Sequence, residues 1–305
     1  MHNAHDPKVL PLRDGVSPSC VVLPSQGGGL LIDFLAERLP AVAREDWLRR
    51  LALREVVDEH GRAADAGTAF VPGLRYYYYR ELQAEPPIPF EAEVLHRDAH
   101  LLVADKPHFL PVVPAGRYLQ QTLLVRLKRE FGLPELSPIH RIDRDTAGLV
   151  VFSVQRATRG IYQALFRNRA IHKTYEAVAP WREDVVFPRT HESRMEESGH
   201  FFRMHEVAGT PNTRTHMQVL EQHGPWARYR LEPESGKRHQ LRVHMAALGL
   251  PLWGDGFYPE VHDMPEGDYS RPLQLLARSL AFTDPLDGQS RRFDSRRQLL
   301  PLTDL

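Results

Sequence analysis

The sequence predicts an α+β fold: a large mixed, mainly antiparallel sheet whose flanking helices form a cleft, plus a small N-terminal α/β module. Three observations predict it. Strand-like segments outnumber helical ones and do not alternate with them as βαβ units, which argues against a doubly wound parallel sheet. The stretch Glu85-Pro86-Pro87-Ile88-Pro89 suits neither a helix interior nor a central strand, and reads as a linker. The 305 residues, 42% of them apolar, supply enough chain for one large or two modest domains. The expected divisions are a lead-in over residues 1–29, a module over 30–83 and a main domain over 90–305.

The elements follow in order. Residues 1–29 end in Pro24-Ser25-Gln26-Gly27-Gly28-Gly29, a flexible lead-in loop. Leu30, Leu31, Phe34, Leu35 and Leu39 recur at helical spacing until Pro40, and a second helical pattern surrounds Trp47, Leu48, Leu51 and Leu53. Arg54–Asp58 and Leu74–Tyr76 suggest two short strands, so the module is two small helices plus a hairpin ending about Glu81. Beyond the linker, Val94–His96 and Leu101–Ala104 read as a hairpin. Gly148–Ser153 is β-branched and apolar, as a buried strand requires. Residues 156–169 are helix-like and Lys173–Val178 alternates as a strand. Thr215–Leu220 and Ala227–Leu231 suggest later strands, and Arg238–Leu248 is again helix-like.

Composition closes several routes. A lone Cys20 forms no internal disulfide and leaves no Cys-rich zinc site. No apolar run approaches the roughly 18 residues of a membrane span, and the opening residues lack a signal-peptide core, so a soluble cytoplasmic protein is expected. Net charge is zero, with 39 basic and 39 acidic residues, unlike a DNA-coating protein. Local charge differs. From Arg117 to Glu183, 12 basic residues stand against 6 acidic ones, an excess compatible either with a phosphate-facing surface or with a solvated face.

No dinucleotide fingerprint, phosphate loop, zinc-protease motif or serine-hydrolase elbow is present, so no cofactor and no metal is expected. What remains centres on a carboxylate. In Pro138-Ile139-His140-Arg141-Ile142-Asp143-Arg144-Asp145-Thr146-Ala147-Gly148, a charged loop is anchored by the apolar strand that follows. Asp143 lies among His140, Arg141 and Arg144, which favour its ionised form; a salt-bridged turn would look the same.

That window resembles the signature of the RluA-type pseudouridine synthases, His-Arg-Leu-Asp-x-x-Thr-Ser-Gly before an apolar strand. Three further stretches resemble the family in the same order: Leu101–Pro107 with its Lys-Pro turn, Lys173-Thr174-Tyr175-Glu176-Ala177, and Gly236–His244 continuing through Pro251-Leu252-Trp253-Gly254-Asp255. Together they span about residues 90–285. Ala147, Lys237 and Leu276 depart from the family's usual Ser, Arg and His. The N-terminal module is similar to the small RNA-binding domain named after ribosomal protein four, on Leu31–Pro40 and Val71-Pro72-Gly73, without the Arg and Lys that usually flank the helix Asp.

The resemblance implies isomerisation of uridine to pseudouridine in structured ribosomal or transfer RNA, with the base flipped from its stack and no cofactor consumed. It implies Asp143 as the essential carboxylate, Arg242 as its ion-pair partner and Tyr175 as the active-site aromatic. Arg141 would fill the space the base vacates, and His140, Arg144, Lys106, Lys173, Lys237 and Arg238 are expected to contact RNA. RNA is the expected partner, not DNA or membrane, and a monomer suffices. Two other readings stand beside it: a catalytically idle RNA-binding or ribosome-assembly factor on the same fold, and a glycoside hydrolase using Asp143 and Asp145. Two carboxyls two residues apart on a strand lie roughly 6–7 Å apart on one face and do not flank a sugar from both sides.

Overall fold

The computed structural model describes residues 10–80, 85–199, 203–262, 265 and 267–305. Two compact units divide between Glu85 and Pro86. The expected module end at residues 81–83 lies outside the described residues.

The first unit holds β1 (Ser19–Val22), α1 (Leu31–Arg38), α2 (Arg44–Ala52), β2 (Val57–Asp58) and β3 (Arg75–Tyr78). Both helices bury the residues their spacing selects: Leu31, Ile32 and Leu35 from α1, Trp47 and Leu51 from α2. They pack with Tyr76 and Tyr78 of β3 in one core. Two expectations need correction. Residues 1–29 are not only a lead-in, because Ser19–Val22 pairs antiparallel with β3 and completes a three-stranded sheet, β1-β3-β2. The preceding strand is shorter than Arg54–Asp58, because Arg54 takes a positive φ and turns the chain before β2 begins.

The second unit runs β4 (Glu93–Arg97), β5 (Leu101–Lys106), α3 (Leu123–Phe131), β6 (Ser137–Pro138), β7 (Ala147–Ser153), α4 (Arg156–Arg167), β8 (His172–Pro180), β9 (Arg189–Glu197), β10 (Met204–Val207), β11 (Thr213–His223), β12 (Trp226–Pro233), α5 (Gln240–Ala247), β13 (Leu275–Thr283) and β14 (Ser290–Asp294). The sheet order is β10-β9-β11-β12-β8-β13-β7-β5-β4, with β6 on β7 and β14 on β13. Among the described residues only β13 and β7 pair in parallel; the sheet is mixed and mainly antiparallel as expected.

Every residue of β7 is buried, which explains its unbroken apolar run. Successive side chains point to opposite faces. Val150 and Phe152 join Leu123 and Leu127 of α3, while Leu149 and Val151 join Tyr162, beneath α4. Leu241 and Met245 of α5 pack on Ala177, Tyr229 and Leu231 of β8 and β12. The helix α3 is hidden in the sequence because Arg126, Lys128 and Arg129 read there as a charge run. In the structure Thr122 caps its start, Gly132 ends it in the left-handed region, and Lys128 is itself buried. The Pro-rich stretch is less detached than a linker. Ile88 is buried in the α3 core, and Arg126 donates to the carbonyls of Phe90 and Ile88 at 2.6 and 2.7 Å.

Candidate active site

The loop between β6 and β7 is held by its exit strand. The parallel crossing of β7 on β13 is so close that a Cβ at Gly148 would lie 2.3 Å from the Ala277 carbonyl oxygen, and Gly148 takes a φ of +107°. Only glycine fits there. The loop therefore leaves β7 in a fixed direction, and Asp143 reaches α5.

Arg242, on α5, is 2% exposed. Its Nη1 donates to Asp143 Oδ2 at 3.3 Å. Its Nε and Nη2 donate to the two carboxylate oxygens of Asp255 at 2.8 and 2.6 Å. Burial works against the guanidinium charge, but Asp255 and then Asp143 more than offset it and hold the group above its usual range. His239 stands at the start of α5 with a left-handed φ of 57°, its Nε2 3.9 Å from Asp143 Oδ2. Burial lowers its pKa against the opposing pull of Asp143.

Tyr175, on β8, faces the same place. Burial, and then the charge of Asp143, push its hydroxyl well above the usual tyrosine range. With Arg141, Thr146, Lys173, His239, Arg242 and Leu275, these residues line a niche of about 100 Å³. The niche residues Arg141, Asp143, Lys173 and Tyr175 also line a cleft of about 870 Å³, with apolar Val112, Val113, Ile139 and Phe166 and cationic Arg144, Arg167, Arg169, Lys237 and Arg238. Asp145 is absent from that lining; its carboxylate pairs with Arg144 at 2.8 Å and its carbonyl oxygen lies 2.7 Å from His108 Nδ1. The paired-carboxylate arrangement of a glycoside hydrolase is therefore not assembled.

The expected RNA contacts fare unequally. Arg141 is exposed at the niche and makes no hydrogen bond or ion pair among the described residues. Lys237 and Arg238 are exposed along the cleft, Arg238 lying 3.5 Å from Glu197. Lys173 lines the niche and donates to the Ser235 carbonyl at 2.9 Å; burial and the nearby Arg169 bring its pKa to about 8.

One expectation fails, and a second residue has a further duty. Lys106 is completely buried, and its ammonium donates to the carbonyls of Pro107 and Arg144 at 2.9 Å each. Burial lowers it to about 7 against the pull of Asp145 and Asp143, so it braces the Asp143 loop from beneath and faces no phosphate. His140 lines the cleft, but it also accepts the Val151 N–H on Nε2 at 3.1 Å and stacks on Phe166 at 4.4 Å. Burial lowers it to about 3, so it pins the loop as a neutral ring.

The sequence motifs contain Asp255 and His239 but give neither a role. Asp255 lies thirteen residues past Arg242, outside the helix, and no periodicity links the two. Among the described residues, one group of three could hold a metal: His191, Glu206 and His244, with ligand atoms within 4.8 Å of one another. Their atoms already have partners. His191 Nε2 lies 2.8 Å from Glu206, while His244 Nε2 and Nδ1 lie 2.9 Å from the hydroxyls of Thr213 and Thr215. Burial lowers His244 to about 3, and its neutral ring ties α5 to Ser193 of β9 and to Thr213 and Thr215 of β11.

Residues 100–247 match the family described as RNA pseudouridylate synthase. The chain is 30% identical over 232 residues to the dual-specificity RNA pseudouridine synthase RluA of Haemophilus influenzae, covering 70% of this chain and 97% of that one. It is 28% identical over 235 residues to an uncharacterized RNA pseudouridine synthase of Synechocystis, covering 75% and 79%. In fold it is similar to human RNA pseudouridylate synthase domain containing 1, with a TM-score of 0.56, 24% identity, and 70% and 86% of the two chains covered.

Proposed function

This chain belongs to the RluA-type RNA pseudouridine synthases, and from that premise we propose that Asp143, Arg242 and Tyr175 carry the isomerisation. The enzyme converts uridine in RNA to pseudouridine. The carrying observation is the Asp143–Arg242 pair in the niche beside Tyr175.

Isomerisation breaks the N1–C1′ bond of uridine, turns the freed uracil, and joins C5 to C1′, with a proton leaving C5 and N1 regaining one. Cleavage builds positive charge on C1′, which a carboxylate stabilises or captures. Arg242 cannot lose its proton, so Asp143 always faces a positive charge. Tyr175, held protonated, is a poor base; its ring instead gives the detached uracil a stacking surface. The niche volume suits one base and excludes a folded strand, so the uridine leaves its helix at a cost of a few kcal/mol. Exposed Arg141 is placed to occupy the gap. Arg167, Arg169, Lys237 and Arg238 hold the flanking phosphates. The substrate is a structured ribosomal or transfer RNA, met by a monomer in the cytoplasm, and the N-terminal unit adds a second RNA contact.

The test is a pseudouridine map of ribosomal and transfer RNA from cells lacking the protein, rescued with wild type or Asp143→Asn. We expect a lost site restored by wild type alone. In vitro, Asp143→Asn lowers kcat by on the order of 1000-fold or more while RNA binding stays within twofold. Restoration by Asp143→Asn would falsify the assignment.

A further inference from the structure

Arg242 carries one positive charge between two carboxylates, and the two contacts are unequal. Both oxygens of Asp255 take the guanidinium fork, at 2.8 and 2.6 Å, whereas Asp143 receives a single longer bond of 3.3 Å. The Asp255 side chain is fully buried, against 26% exposure for Asp143. Two backbone N–H groups, of Phe257 and Tyr258, also donate to Asp255 Oδ1, at 2.8 and 3.1 Å. The rings of Phe257 and Tyr258 then cover the guanidinium, with their centroids 5.0 and 5.4 Å from Arg242 Cζ.

The same turn reaches His239. The Tyr258 hydroxyl accepts the Met204 N–H at 2.8 Å and lies 3.0 Å from His239 Nδ1. The turn is itself fixed by backbone: Gly254 has a φ of +76°, and a Cβ there would lie 2.6 Å from the Pro272 carbonyl oxygen.

We propose that Asp255 is a positioning residue for the isomerisation, holding the Arg242 fork so that only one N–H is left for Asp143 and the reacting carboxylate is paired but unclamped. A carboxylate locked in a bidentate pair would be slow to move onto or off the substrate. Asp255 takes the strong half of the pair, and Asp143 keeps the freedom its role needs. This role for Asp255 rests on Asp143 being the reacting carboxylate.

The experiment is the pH profile of kcat and KM for Asp255→Asn and Arg242→Lys on a substrate RNA, with wild type alongside. The groups facing Asp143 are Arg242 and His239 from the α5 side, Tyr175 from β8 and Lys106 at the end of β5, and both variants leave the last three in place. In Asp255→Asn the Arg242 fork is released to Asp143. We expect kcat to fall on the order of 100-fold with KM within twofold, and the acid limb of the kcat profile to move to lower pH. In Arg242→Lys the single ammonium stays with Asp255, Asp143 loses its partner, and the acid limb moves to higher pH. Opposite displacements support the proposal. An unmoved limb in both variants, or wild-type kcat in Asp255→Asn, overturns it. If Asp255→Asn does not fold, Asp255→Glu decides in its place: it keeps the charge but displaces the Arg242 fork, a lowered kcat with unchanged KM supports the proposal, and wild-type kcat overturns it. Failure of wild type to form pseudouridine would instead reject the reading of Asp143 on which this one rests.

Discussion

Asp143 meets charged neighbours that lie far from it in sequence. Arg242 is 99 residues away and Asp255 further still, yet the three form one chain of charge. The motif around Asp143 mixes residues of different duty, and spacing alone does not sort them. Arg141 points outward, while His140, one residue earlier, is a neutral acceptor for the Val151 N–H. Its folded pKa of about 3 lies below the ordinary histidine value, so the unfolded chain binds the extra proton between them. The stability His140 contributes is therefore complete above about pH 6.5 and is lost as pH falls toward 3. We expect the drop in unfolding free energy from pH 7 to pH 5, measured by urea denaturation, to shrink by up to about 2 kcal/mol in His140→Asn, which keeps an acceptor for Val151. An unchanged drop would remove His140 from the acid-labile set.

At the scale of elements, the meeting of β7 and β13 sets the active loop. Nothing in the alternation of either strand announces a parallel contact, because β7 is buried on both faces as an unbroken run and Arg278 and Ser279 interrupt the apolar pattern of β13. Gly148 marks it. Replacing Gly148 with Ala places a methyl against the Ala277 backbone at a φ that L-residues avoid. We expect a loss of about 3 kcal/mol or more in chemical denaturation, or failure to accumulate as folded protein. A variant of wild-type stability would mean the strands can part, and that the loop is less fixed than the crossing implies. The strands β9, β10 and β14 are not legible in the sequence because their solvent faces are charged, as in Arg189-Thr190-His191-Glu192-Ser193-Arg194. There, polar residues that pair across strands hide the period of two.

For the molecule as a whole, a net charge of zero conceals a cationic cleft. The basic excess between Arg117 and Glu183 only partly faces that cleft. Arg126 ties the Phe90 and Ile88 carbonyls and Lys128 is buried, while Arg141, Arg167 and Arg169 line the cleft. Lys237 joins them from a segment outside that stretch. Removing one phosphate-binding cation should lower the slope of log KM against log salt by about 0.7–0.9. Lys237→Gln is expected to raise KM severalfold at moderate salt, reduce that slope by one such step and leave kcat unchanged. A changed kcat with an unchanged slope would place Lys237 in the chemistry rather than in phosphate binding.

The sequence by itself determined the fold class, both helices of the first unit, the buried strand after Asp143, and the family. Each is written in local periodicity or in contiguous motifs, where neighbouring residues carry the signal. Only the tertiary structure decided that Ser19–Val22 belongs to a sheet, that Lys106 and His140 brace the loop, and that Asp255 holds Arg242. Those outcomes depend on burial and on partners many residues apart. A side chain's charge state and duty follow from what surrounds it, and no spacing along the chain records that.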